Sequence, residues 1–73
     1  MQKDIEPGQL RFIHTEIMVY PTLNLKIGNA DYIAKNNVLL LYVDDACSIV
    51  VLECGSVVCI NNYFMTRNTK LLC

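Results

Sequence analysis

The sequence predicts a small all-β domain, built as a partly open barrel of five or six short antiparallel strands. Its β-branched and aromatic residues gather in short apolar runs, of which residues 38–43 and 49–52 are the clearest. Breaks that contain Gly, Asn or Asp separate the runs at intervals of about ten residues, the spacing of a small sandwich or barrel. A chain of 73 residues has room for one such domain, and we expect residues 1–6 and 68–73 to be loose ends.

The first strand is predicted to follow a turn at Pro7 and Gly8. Proline presets φ at the second position of a type II turn, and glycine supplies the positive φ that the third position requires. Residues 10–13 and 16–20 are then rich in β-forming side chains, up to Pro21, which cannot donate to a ladder. This pattern fits one bent strand or two short ones.

The next segment carries a weaker strand signal. Leu23, Leu25 and Ile27 recur with period two, which favours a short strand or an ordered arm over a helix. Asn36 and Asn37 tolerate left-handed backbone conformations, so they are predicted to form the turn that opens the apolar half of the chain.

A tight hairpin is predicted around Gly55 and Ser56. If they fill a two-residue type II′ turn, Cys54 lies opposite Val57 and Leu52 lies opposite Cys59. Both faces of this hairpin are then mostly apolar, and a sheet that is apolar on both faces must be covered on both. The chain is too short for two covers, so we expect a closed barrel whose outer face is partly buried by the N-terminal arm, a second copy or another protein.

The composition also favours a partly covered surface. Apolar residues make up 53% of the chain and charged residues only 18%, which is low for a free protein surface. The net charge of −1 and the six scattered Lys and Arg residues form no basic stripe, so nucleic-acid binding is disfavoured. The apolar run at residues 38–43 is far shorter than the roughly 20 residues of a membrane helix. Residues 1–6 hold no secretory signal, so we expect a cytoplasmic protein without a membrane partner.

The sequence offers little chemistry for a metal or a reaction. The chain has four cysteines, Cys47, Cys54, Cys59 and Cys73. They lack the close pairs that chelate zinc, so no metal or cofactor is predicted. All four are expected to be reduced, and Cys73 is expected to be exposed. His14 and Glu16 would share a strand face, but no nucleophile accompanies them. Asp44 and Asp45 are better explained as turn residues than as paired catalytic carboxylates. We therefore expect no enzyme and no small-molecule substrate.

Aromatic residues are the candidates for a contact surface. Aromatic rings with polar tips anchor many protein interfaces, and the candidates are Tyr20, Tyr32, Tyr63 and Phe64. Tyr42 lies inside an apolar run and is predicted to fill the core instead. The expected partner is another protein, a second copy of this chain, or both. The alternative is a nucleic-acid-binding barrel, which needs a cluster of basic side chains from Arg11, Lys26, Lys35 and Arg67.

The order of signals from Gly55 to Phe64 resembles a Src-homology-3-like (SH3-like) barrel. In that family a turn with glycine is followed by a strand and by a one-turn 3₁₀ helix written Ser-Asn-Tyr, which is similar to Asn61-Asn62-Tyr63 here. The resemblance covers residues 7–66 and implies a 3₁₀ turn near residues 61–64. The chain departs from the signalling members of the family, because it has no Trp, has Ile60 in place of proline, and lacks their acidic cluster.

The chain is more similar to the short, divergent Src-homology-3-like proteins of bacteriophages and bacteria. That resemblance implies a small non-enzymatic interaction module, such as an accessory protein, a virion component or an inhibitor of host machinery. It also implies a location in the cytoplasm, which is the host cytoplasm for a viral protein, or in the virion. Recognition of proline-rich peptides is not implied, because the groove residues of the signalling members are missing.

Overall fold

The computed structural model describes residues 5–20 and 31–72, and strands dominate within them. The elements in chain order are β1 (Leu10–Ile13), β2 (Ile17–Val19), β3 (Asp31–Ile33), β4 (Asn36–Val43), β5 (Cys47–Val51), β6 (Val57–Asn61), α1 (Asn62–Asn68) and β7 (Thr69–Leu71). The predicted all-β class is confirmed. The described residues form seven strands rather than five or six, because the short strands β3 and β7 were not foreseen.

The strands form two antiparallel sheets. Five strands lie in the order β6-β5-β4-β1-β7, and β2 pairs with β3 in a separate hairpin. Tyr20 joins the hairpin to the edge strand β6, because its N–H donates to Cys59 O at 3.0 Å and its carbonyl accepts the Cys59 N–H at 2.8 Å. The sheets are not closed into a barrel, so the expectation of full closure was wrong and the architecture is open.

The turn at Pro7 and Gly8 forms as predicted. Gly8 has φ of 91°, and the Gln9 N–H donates to Glu6 O at 3.3 Å, which closes the turn. The positive φ lies in the region that glycine adopts at little cost. Local turn chemistry is thus sufficient to place the start of β1.

The turn predicted at Asn36 and Asn37 lies one step earlier in the chain. Lys35 has φ of 56°, and its N–H donates to Ile13 O at 2.7 Å. Asn36 and Asn37 are instead the first residues of β4. The hydrogen bond across to β1 fixes a lysine in a conformation that asparagine adopts more easily. The period-two segment at Leu23, Leu25 and Ile27 lies outside the described residues.

The hairpin between β5 and β6 has a longer loop than predicted. Val51 lies opposite Val57, the Leu52 N–H donates to Ser56 O at 2.9 Å, and the Gly55 N–H donates to Leu52 O at 2.9 Å. Gly55 has φ of 93°, which suits the last position of a three-residue loop. The predicted two-residue turn was therefore wrong.

This register also changes which side chains share a face. Cys59 lies opposite Ile49 rather than opposite Leu52, which shifts the pairing by an odd number of residues. A shift of that kind exchanges the faces of one strand relative to the other. Val58 and Ile60 consequently point into the core, where they are 8% and 0% exposed.

The core lies between the five-stranded sheet, the β2–β3 hairpin and α1. Its buried members come from β1, β2, β4, β5, β6, the loop after β5, and the helix: Ile13, Ile17, Val19, Val38, Leu40, Val50, Leu52, Val58, Ile60 and Met65. Leu40 and Val50 lie opposite each other in this cluster, whereas the next paired residues of β4 and β5 are Tyr42 and Ile49. Leu41 is the extra residue of a β-bulge, which turns Tyr42 outward to 57% exposure and explains why its predicted core position was wrong.

The segment after β6 is more ordered than expected. A seven-residue helix, Asn62–Asn68, replaces the one-turn 3₁₀ helix predicted near residues 61–64. Asn61 caps it, because its side chain accepts the Tyr63 N–H at 2.8 Å. The expected loose end at residues 68–73 instead contains β7, which pairs with β1. At the other end, Ile5 packs against the core.

Candidate functional site

An apolar row crosses the outer face of the whole five-stranded sheet. Leu10 lies opposite Leu39, Leu39 opposite Val51, and Val51 opposite Val57. The Leu72 N–H donates to Leu10 O at 2.8 Å, which extends the same row past the end of β7. Directly opposed residues of antiparallel strands point to the same face. We call these five residues the outer row.

The outer row is unusually accessible for apolar side chains. Leu10, Leu39, Leu72 and Val57 are 39%, 40%, 47% and 50% exposed, and Val51 is half-buried. Each side chain sits beside a neighbour of the same kind on the next strand, so the exposed groups are contiguous rather than scattered. Contiguous apolar surface of this kind is typical of a binding site.

Two opposite charges flank the outer row. On the adjacent row Lys70 lies opposite Phe12, and Phe12 lies opposite Asn37. Glu53 lies next to Asn37, just past the end of β5, and its Oε2 accepts the Asn37 N–H at 2.8 Å. Lys70 and Glu53 are both exposed, so the flank is positive at the β7 side and negative beyond β4.

Two of the predicted contact residues lie on the β2–β3 hairpin. Tyr32 lies opposite Met18 and is 60% exposed. Tyr20 donates from its hydroxyl to Met18 Sδ at 3.1 Å and is half-buried at the bridge to Cys59. Tyr32 is therefore available for a contact, whereas Tyr20 is partly occupied in holding the hairpin to β6.

The other two predicted residues lie on α1. Tyr63 is 60% exposed, its ring centre is 5.4 Å from that of Phe64 in an edge-on arrangement, and the Arg67 guanidinium lies 5.3 Å above it. Phe64 packs against the core. The four aromatic residues are thus divided between two elements, and sequence reasoning missed the outer row. The signal that could have revealed it is the unbroken apolar run that contains Leu39 and Leu41. Such a run places apolar side chains on both faces of a strand.

Asn62 fastens the helix to the turn between β4 and β5. Its Nδ2 donates to Asp44 O at 2.6 Å, and its backbone N–H donates to Ala46 O at 2.9 Å. Its Oδ1 accepts from the hydroxyl of Ser48 at 2.5 Å, and Ser48 is fully buried. Within the turn the Asp45 N–H donates to Asp44 Oδ1 at 2.7 Å, as expected of turn residues.

An open groove of about 500 Å³ lies beside this turn. Tyr42, Asp44, Cys47 and Ile49 line it. Cys47 is half-buried there, so its thiol is reachable from solvent through the groove. Cys59 lies on the adjacent strand, at the position diagonal to Cys47 on the same face.

The three cysteines of the described residues are free and differ in surroundings. Burial, followed by the hydrogen bond and the negative charge of Cys47, raises the pKa of Cys59 to about 12. Hydrogen bonding with the Ser56 side chain lowers the pKa of Cys54, which is exposed on the hairpin loop. The prediction had placed the exposed thiol at Cys73, which lies outside the described residues.

Stability at alkaline pH should reflect the buried thiol. The unfolded chain releases the Cys59 proton above the ordinary pKa of 9.0, whereas the folded chain keeps it up to about pH 12. A folded pKa that is raised contributes stability below the lower value, and this contribution is lost as pH rises between the two values, by up to about 1.4 kcal/mol per pH unit. We expect the urea midpoint under reducing conditions to fall less steeply above pH 9.0 in Cys59→Ala than in the parent protein.

The exposed thiol supplies the control for this measurement. The pKa of Cys54 is lowered rather than raised, so its contribution changes with pH below about 9.0, and the slope of Cys54→Ala above 9.0 should match that of the parent. An equal slope in Cys59→Ala and the parent would contradict the assignment to Cys59.

Arg11 occupies the interior rather than a binding surface. It is 4% exposed, and desolvation lowers its pKa. Its guanidinium donates to Thr69 Oγ1 at 2.8 Å and to Gln9 Oε1 at 2.9 Å. Of the other basic residues named for a nucleic-acid site, Arg67 lies over Tyr63 and Lys26 is outside the described residues. Arg11 is therefore not presented to a phosphate backbone.

The described residues hold neither a cluster of metal ligands nor a membrane-spanning helix. In residues 5–20 and 31–72, no three His, Cys, Asp or Glu side chains come together as ligands for a metal ion. No helix among the same residues has the length and apolar character needed to cross a membrane.

Comparison with protein-family models, with curated proteins and with solved structures finds no match to this chain.

Proposed function

We propose that this protein is a non-enzymatic interaction module that binds protein through its outer face and associates with itself. The observation that carries the proposal is the outer row: five apolar side chains, one in line with each strand of the sheet, of which four are 39–50% exposed. Covering such a row removes apolar area from water at roughly 25 cal/mol per Å². A partner with a matching apolar face gains the same term.

A second copy of the chain is itself such a partner. A two-fold axis that runs parallel to the strands through Leu39 places two outer rows face to face in opposite directions. Leu39 of one copy then meets Leu39 of the other, Leu10 meets Val51, and Leu72 meets Val57. Sheets stacked in this way lie about 10 Å apart with nearly aligned strands, as in a sandwich. Every contact of the row is apolar on both sides.

The flanking charges favour the same arrangement. The axis carries Lys70 of one copy to the same side as Glu53 of the other, with a sideways offset of about one strand spacing of 4.8 Å between sheets about 10 Å apart. Each dimer therefore contains two such Lys–Glu approaches, one at each end. Opposite charges at the rim of an interface contribute mainly to orientation and specificity.

The likeness to Src-homology-3-like proteins is part of the proposal. Its support is the order of features after β5: a turn in which Gly55 has a positive φ, the strand Val57–Asn61, and a helix that starts at Asn62. On this basis we assign the chain to the small accessory proteins of bacteriophages or bacteria that act by contact, on a virion or on a host protein.

The test is the assembly state in solution. In sedimentation velocity over a range of concentrations, the parent protein should show a reversible dimer. Leu39→Asp places two carboxylates against each other at the axis, so the dissociation constant should rise at least about tenfold. Tyr63→Asp is the matched control, because Tyr63 is exposed on α1 and outside the outer row, and it should dimerise like the parent.

The charge pair can be tested separately. Lys70→Glu should weaken the dimer by about 2–5-fold, and adding Glu53→Lys should restore it, since the pair is then reversed. Urea unfolding of each variant controls for the bond between Glu53 and the Asn37 backbone. A parent protein that remains monomeric at all concentrations would contradict self-association. A dimer that Tyr63→Asp disrupts and Leu39→Asp does not would place the contact on the aromatic residues instead.

A further inference from the structure

We propose that Cys47 and Cys59 form a redox-responsive thiol pair, which exchanges with small disulfides such as glutathione disulfide and closes into a disulfide between β5 and β6. This proposal is independent of the self-association proposed above, because it requires only the folded hairpin. The observation behind it is that two thiols share one face of adjacent strands at diagonal positions, one of them beside an open groove.

The register places the two thiols on one face. Cys47 lies opposite Asn61, and Cys59 lies opposite Ile49, so the cysteines are diagonal neighbours, one pair apart. Diagonal neighbours of this kind lie about 7–8 Å apart on the same face of the sheet. The effect of Cys47 on the pKa of Cys59 agrees with this placement. A disulfide needs Cα atoms about 4.4–6.8 Å apart and sulfurs at about 2.05 Å, so closing the bond draws the two strands together at this end of the hairpin.

The two thiols differ in access, which sets the order of steps. Cys47 is half-buried at the groove of about 500 Å³ that it lines with Tyr42, Asp44 and Ile49. Cys59 is only 1% exposed. An incoming disulfide therefore reaches Cys47 first, and Cys59 reacts only afterwards, with the Cys47 sulfur of the mixed disulfide.

The raised pKa of Cys59 agrees with this order of steps. Desolvation raises the pKa of Cys59, and the hydrogen bond with Cys47 raises it further, so Cys59 is the member that keeps its proton. Access through the groove makes Cys47 the attacking sulfur, and the buried Cys59 is the resolving thiol.

The chemistry balances with glutathione disulfide as the oxidant. The Cys47 thiolate attacks one sulfur of glutathione disulfide, which forms a mixed disulfide and releases one glutathione thiolate. The Cys59 sulfur then attacks the Cys47 sulfur, a second glutathione leaves, and the Cys59 proton passes to it. Two protein thiols are oxidised and one glutathione disulfide is reduced to two glutathione molecules.

The experiment uses the full chain with its other thiols removed, as the variant Cys54→Ser with Cys73→Ser. The reduced protein is mixed with glutathione disulfide and followed by intact mass and peptide mapping. We expect a monomer lighter by two hydrogen atoms, with one bond between Cys47 and Cys59. In this background Cys59→Ala should trap a glutathione adduct on Cys47. Cys47→Ser should slow modification of Cys59 at least about tenfold.

Folding and outcome are controlled within the same series. Far-ultraviolet circular dichroism establishes that each variant is folded, and the reaction is repeated in urea, where the preference for the internal bond should disappear. Three results overturn the proposal: a glutathione adduct that persists on Cys47 while Cys59 is present, a disulfide between two copies, or faster modification of Cys59 than of Cys47.

Discussion

Arg11→Ala is expected to lower the free energy of unfolding by about 2–4 kcal/mol, whereas Arg11→Met should stay within about 1 kcal/mol of the parent. Arg11 is 4% exposed, so truncation to alanine leaves a cavity beneath β1. It also removes the donors to Thr69 Oγ1 and Gln9 Oε1. Urea unfolding of the three proteins at neutral pH measures the difference.

The contrast between the two variants comes from the buried charge. Arg11 donates to two neutral oxygens, those of Thr69 and Gln9. Neither partner is a carboxylate, so neither offsets with a negative charge the hydration that the guanidinium loses on burial. Methionine fills similar space and carries no charge, so the lost hydrogen bonds are offset by the desolvation that it avoids. If Arg11→Met proves as damaging as Arg11→Ala, the hydrogen bonds outweigh the cost of burying the charge.

Asn62→Leu is the second substitution with a large expected effect, a loss of about 2–3 kcal/mol. It leaves the fully buried Ser48 hydroxyl without its acceptor and frees Asp44 O from the side-chain amide. The same change releases the turn that carries the groove. Thermal or urea unfolding gives the loss, and Asn61→Ala, which removes only the helix cap, should cost about 1 kcal/mol.

A double-mutant cycle separates the Ser48 bond from the rest of the Asn62 contacts. Ser48→Ala removes the stranded hydroxyl, so the double variant with Asn62→Leu should be more stable than the sum of the single losses predicts, by about 1 kcal/mol. Strictly additive losses would show that the Asn62 side chain acts on the turn alone.

Features set by local chemistry could be predicted from the sequence. The turn at Pro7 and Gly8 needs only two adjacent residues with the correct φ, and it forms as expected. The all-β class likewise follows from runs of β-branched residues. Gly55 was correctly identified as a turn residue, yet a positive φ suits both two-residue and three-residue loops, so the register of β5 and β6 could not be derived from it.

Features set by distant contacts were missed. The positive φ of Lys35 depends on Ile13 O, and the outward position of Tyr42 depends on a bulge that only the pairing with β5 reveals. The outer row requires the register of β1 with β4 and β7 at once. The aromatic candidates were selected by residue type, and type alone does not tell an exposed Tyr32 from a Tyr20 that is engaged at a strand bridge.

The position of β1 in the middle of the sheet has a consequence for synthesis on the ribosome. β1 lies between β4 and β7, and the bond from Arg11 to Thr69 joins residues 58 positions apart. A nascent chain that stops before residue 69 can pair β1 with β4, but the other edge of β1 has no strand to bind. Translation must therefore reach β7 before Arg11 gains its second acceptor and the sheet acquires its final edge.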